Sequence, residues 1–125
     1  MRKVAAFVAV LALGVTGAAF AHGGDAPSIK LESARAVGHT IVVHVQIEHW
    51  KMLPSRVGKK PNSPTGGHWH VFVDGKYNNF SANATTGKAL KVTAGWHIVQ
   101  AELANNDHSE LKPPVKSRTM RVHVG

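Results

Sequence analysis

His68 and His70 flank Trp69 in the run Gly67-His68-Trp69-His70-Val71-Phe72-Val73-Asp74-Gly75. The Val/Phe-rich half of this run reads as a β-strand closed by an Asp-Gly hairpin turn. Residues two apart on a strand point to the same face. Two imidazoles would therefore stand side by side, roughly 6–7 Å apart at the backbone, which offers a metal ion two nitrogen ligands from one rigid element. The pattern His-x-His is common, and its weight here comes from the rest of the chain, which has nine histidines and no cysteine.

Three other segments carry groups that can join such a site. His108 follows Asp107 in the turn-rich stretch Asn105-Asn106-Asp107-His108-Ser109, where Asp107 is a candidate oxygen ligand or a group that orients an imidazole. The bland alternative for Asp107 and its neighbours is ordinary turn chemistry. His49 and Met52 lie three residues apart in a loop. A thioether is a soft ligand for Cu(I), but a loop Met or Trp is more often an apolar plug against the core. His22 has a special property if the chain is cut before it. Its α-amine and imidazole then chelate one ion together, and one further histidine gives a T-shaped set of three nitrogens suited to Cu(II). Termini are mobile, so the bland reading of His22 is an exposed, unligated residue. His39, His97 and His123 are left as structural or surface residues, and Trp69 and Trp96 as core or rim packing residues.

The elements that must position these groups follow from the order of the chain. Residues 1–21 read as a cleaved signal peptide: Arg2 and Lys3, an apolar run from Val4 to Val15, and the site Ala19-Phe20-Ala21. Export implies a periplasmic or secreted protein. Residues 22–28 are a flexible lead, and 29–125 are expected to form one domain. Losing Arg2 and Lys3 leaves thirteen basic residues against seven acidic ones, a net charge of +6 with neutral histidines. That surface allows peripheral contact with an anionic partner. Nucleic acid is excluded, because the chain leaves the cytoplasm and has no nucleic-acid motif. Without cysteine there is no disulfide, and a blue-copper centre, which needs a thiolate, is also excluded.

Strand patterns then recur: Ile29–Ala34, His39–Glu48 with Ile41, Val43, Val45 and Ile47 on one face, His68–Val73, a return from Lys76, Ala89–Thr93, Trp96–Ala104 and Val115–Val124. Between the second and third lies a long basic loop, His49–Gly66. About seven short strands without a helix predict an all-β, immunoglobulin-like antiparallel β-sandwich. Its topology places His22, His49, Met52, His68, His70 and His108 at one end, with His39, His97 and His123 at the other.

Together the motifs resemble a family of short exported bacterial proteins that share a Gly-His-x-His-φ-x-φ-Asp-Gly core, φ being apolar, and an Asn-Asp-His loop. The resemblance spans His39 to Val124. The architecture is also similar to periplasmic copper-binding β-sandwiches of the CopC type, which begin with a ligating histidine, as His22 would here. The resemblance implies copper as the ion, with zinc as the alternative. The expected function is a periplasmic metal carrier, buffer or chaperone, not an enzyme. His68, His70 and His108 bind the ion, and His22 or His49, Met52 and Asp107 complete the set. A periplasmic or membrane metal-handling protein is the expected partner. A rival expectation is an exported immunoglobulin-like interaction module with a basic surface and no metal. A histidine-brace copper enzyme is a third.

Overall fold

A computed structural model describes residues 25–125. The expected signal peptide and His22 lie outside the described residues. Two sheets carry the chain. In the first, β1 (Ser28–Val37) pairs antiparallel with β2 (Thr40–Glu48), and β2 with β6 (Thr86–Ala89). In the second, β4 (Gly66–Val73) is central. The short β3 (Lys51–Met52) runs parallel to its start and β5 (Lys76–Ser81) antiparallel to its remainder. On its other side lie β7 (Gly95–Ala104) and then β8 (Met120–Val124). The fold is an immunoglobulin-like β-sandwich, as the strand spacing predicts.

Alternation in β2 decides how the sheets face each other. Ile41, Val43 and Val45 are buried against Trp69, Val71, Val99, Ala101 and Leu103 of the second sheet. Full burial of each aliphatic side chain is worth about 1.5–3 kcal/mol, so a one-residue slip of β2, which would turn all three outward, is strongly disfavoured. Trp69 is the largest fully buried side chain, and its indole donates to the Asn83 carbonyl. A Cβ on Gly87 of β6 would collide with the Trp69 ring, so the opposite sheet needs glycine at this point. The β4–β5 turn has positive φ at both Asp74 and Gly75, the conformation expected of an Asp-Gly hairpin.

Two elements differ from expectation. The strand placed at Ala89–Thr93 lies earlier, at Thr86–Ala89, because its ladder partners are Ile41–His44 of β2. The closing strand is regular only from Met120. Its first part joins β7 through separate bonds, Leu103 N to Val115 O and Ser117 N to Ala101 O. Of the two tryptophans expected to pack in the core or at the rim, Trp69 is in the core, whereas Trp96 is 61% exposed on the outer face of β7, with Arg121 and His123 against its ring.

Candidate metal centre

The register of β4 against β7 sorts its residues between two faces. Trp69, Val71 and Val73 oppose Leu103, Ala101 and Val99 on the inner face. His68, His70 and Phe72 oppose Ala104, Glu102 and Gln100 on the outer one. An outer face normally meets water, yet His68 is 0% and His70 only 7% exposed. The chain after β7 folds back over this face and buries them. The histidines therefore gather on the outer face of the sheet near the start of β4, rather than at the rim of the sandwich.

The covering turn is a built structure. Asn105 N donates to Ser109 O and His108 N to Asn105 O. The Asp107 carboxylate accepts from the Ser109 backbone N–H and hydroxyl. His108 has φ +72°, a left-handed conformation that is uncommon for a residue with a Cβ. The long loop after β3 braces the turn from outside: Gly58 N donates to Asn106 O, Asn106 Nδ2 to Pro61 O, and Asp107 N to Asn62 Oδ1. This bracing is what the basic loop contributes, although the sequence shows it only as a stretch without periodicity.

Held in this way, three ring nitrogens converge. His68 Nε2 and His70 Nε2 are 3.1 Å apart, His68 Nε2 and His108 Nδ1 3.1 Å, and His70 Nε2 and His108 Nδ1 3.2 Å. Among the described residues these three form a group able to hold a metal ion. Burial, and then the neighbouring His108, lower the pKa of His68 to about 4; burial, then His68 and His108, lower that of His70 to about 4. Both are therefore neutral at pH 7. Three nitrogens so close cannot all point protons at one another, so at least one presents a lone pair to the others, and removing a single ring proton or switching a tautomer frees the rest for an ion. His68 Nδ1 is buried without a hydrogen-bond partner.

The other expected ligands stand elsewhere. His49 is exposed, in left-handed conformation, beside Asp25, Trp50, Lys51 and Thr65. Met52 packs against the core, the plug role more usual for a loop Met. Asp107 spends its carboxylate on Ser109 and so shapes the turn that presents His108. Trp50 is buried and donates to the His68 carbonyl, fixing the strand behind the imidazole.

Two features around the triangle were not singled out from the sequence. Phe72 and Tyr77 line a recess with His70 and His108, and Phe80 lies edge-on to the rings of His68 and His108. Glu102 lies across from His70 and is 4% exposed. Burial, and then the Glu110 carboxyl beside it, raise its pKa to about 7, against the opposing pull of Lys116. Glu102 carries little signal in the sequence, because with Gln100 it forms the polar half of an ordinary alternation over Val99 to Leu103.

No protein-family model matches the chain, and no curated protein matches it. Neither search returns the exported His-x-His family or the CopC-type proteins that the motifs resemble. Among solved structures, fibronectin(III)-like modules of Clostridium thermocellum CbhA superpose with a TM-score of 0.44 at 14% identity, over 95% of this chain and 49% of that one. The chain thus spans about half the length of that structure. The site is accordingly read from its own geometry.

Proposed function

We propose that this chain is an exported metal-binding protein that carries or buffers one copper or zinc ion on His68, His70 and His108. The observation that supports this is the near-equilateral triangle of ring nitrogens, 3.1–3.2 Å on each side. An ion about 2.0–2.1 Å from each nitrogen, the usual zinc–imidazole distance, would sit about 1 Å off the plane of the triangle with N–ion–N angles of about 100°. That is a facial arrangement, between an octahedral face and a tetrahedron. A T-shaped set would need one pair of nitrogens about 4 Å apart, and these three residues have no such pair. The geometry therefore favours an ion without a tetragonal preference: zinc, or copper in its cuprous state.

Two of the ligands are buried and neutral on a central strand, so little ordering remains to be done when an ion arrives. The third is exposed on a turn, which gives an acceptor a side from which to take the ion. A periplasmic or membrane metal-handling protein is the partner this reading supplies, and the expected signal peptide supports export.

Titration of the protein from residue 22 onward tests the reading, with Zn(II) followed by calorimetry and Cu(I) by competition with a coloured chelator. One tight ion per chain, lost when His68 and His70 are both replaced by Ala, is the expected result. Absence of tight binding, or binding that survives the double substitution, overturns it.

A further inference from the structure

Beside the triad lies a cleft of about 240 Å³, lined in part by His70, Phe72, Glu102 and His108. Glu102 and His70 are directly opposed across β7 and β4, so their side chains leave the same face of the sheet. Glu102 is 4% exposed, and no N–H or hydroxyl donor reaches its buried Oε2; the group beside it is the Glu110 carboxyl. A buried polar atom left unpaired costs about 1–3 kcal/mol, and its retention calls for a water or ligand that completes it. The Glu102 carboxyl is not in the group formed by the three imidazoles. Glu102 lines the same cleft as His70 and His108, so its carboxyl stands on the side of the triad that opens into that cleft. Three protein ligands with a free fourth position mark sites that do chemistry, whereas purely structural sites are closed by four.

We propose that the fourth position takes a water that donates to Glu102, and that the loaded protein hydrolyses small carboxylic esters in this cleft. The proposal rests on the metal reading above and goes beyond carriage. The Glu102 carboxylate takes a proton from the water as the water oxygen bonds to the ester carbonyl carbon. The tetrahedral adduct then expels the alcohol: the carbon–oxygen bond breaks, its electron pair stays on the leaving oxygen, and Glu102 returns the proton there. One ester and one water give one acid and one alcohol, with nothing oxidised or reduced. Phe72 is the aromatic wall of this cleft, and Tyr77 stands with it in the adjoining recess beside His70 and His108, so esters of aromatic alcohols fit best.

The test uses the zinc-loaded chain with p-nitrophenyl acetate at neutral pH, with bound zinc measured in every sample. Wild type carrying one zinc is expected to hydrolyse the ester well above the same protein without zinc and above free zinc. Glu102→Gln is expected to keep its zinc and lose about 100-fold in kcat, the usual contribution of a positioned acid–base group. The proposal is overturned if wild type binds one zinc yet hydrolyses no faster than the metal-free protein, or if zinc-loaded Glu102→Gln is as fast as wild type. A wild type that binds no zinc overturns the metal reading itself, and the zinc measurement separates that failure from the other two. The comparison of loaded and metal-free wild type needs no variant to fold.

Discussion

The Asn106 side chain donates to the Pro61 carbonyl at 3.0 Å, joining the turn that presents His108 to a loop 45 residues earlier in the chain. Asn106 is 1% exposed, and its own carbonyl accepts from Gly58 N. The third imidazole thus depends on a contact between two segments that contribute no other ligand.

Asn106→Ala removes the donor and leaves the Pro61 oxygen short of a partner. The expected cost is about 1–2 kcal/mol of stability, read by denaturant unfolding. A larger fractional loss is expected in metal affinity than in stability, because the turn is loosened while β4 is untouched. A variant with wild-type affinity would show that the brace does not hold His108.

Gly67, in β4, lies against Ala104 of β7 and Trp50. A Cβ there would run into the Ala104 carbonyl oxygen and the Trp50 ring. Gly67→Ala is expected to destabilise the fold by about 1–3 kcal/mol, the usual range for overpacking, and to disturb His68 next to it. Thermal melting followed by zinc titration checks both effects.

Protonation of His68 and His70 sets a window in pH for the metal-free protein. Their folded pKa values, about 4, lie below the unfolded value of 6.5. Below 6.5 the unfolded chain therefore binds more protons than the folded one. The stability contributed by keeping these two groups neutral is fully present above 6.5 and declines as pH falls, until it is gone below about 4. Melting temperatures of wild type and His68→Gln are expected to converge as pH falls from 7 to 4. A constant difference between the two would contradict the assigned shifts.

At the far end of the sandwich the sign is opposite. His97 Nδ1 lies 2.6 Å from Asp74 Oδ2, and its ring also meets the Thr93 carbonyl; Asp74 first and Thr93 second raise the pKa of His97. The Ile98 backbone N–H, and then His97, lower that of Asp74. The contribution of His97 is present below 6.5 and is lost as pH rises through its folded pKa. An NMR titration of the His97 ring is expected to give a midpoint above 6.5 in wild type and a lower one in Asp74→Asn.

The fold was legible where one face alternates. Ile41, Val43 and Val45 in β2, and the Asp74-Gly75 turn, each carry a local signal that tertiary contacts leave unchanged. The pair His68 and His70 was legible for the same reason, since period two fixes a shared face. Which face they share was not legible: Trp69 and Val71 between them are as buried as they are, because β4 is covered on both sides. The role of Asn106 was hidden because its partners, Gly58 and Pro61, lie in a segment with no pattern. His49 and Met52 are candidates because the expected topology brings the long loop to the end where β4 begins, but β3 pairs in parallel with the start of β4, Met52 packs against the core and His49 is exposed outside the triangle. Size alone leaves Trp96 open between core and rim, and its register position on β7, opposite His123, turns it outward.

The three imidazoles are also held unequally. Two imidazoles ride on a strand enclosed on both sides, which opens only when the domain unfolds, whereas His108 sits on a short exposed turn whose opening needs only local bonds to break. An ion held by all three would leave in steps, with His108 detaching first and the strand pair holding it briefly as a two-nitrogen intermediate. Residence time is then set by the lifetime of a few turn and brace hydrogen bonds, not by the stability of the sandwich. Substitutions at Asn62 or Ser109, on the exposed side of the turn, would therefore adjust the off-rate with a smaller change in melting temperature than Asn106→Ala.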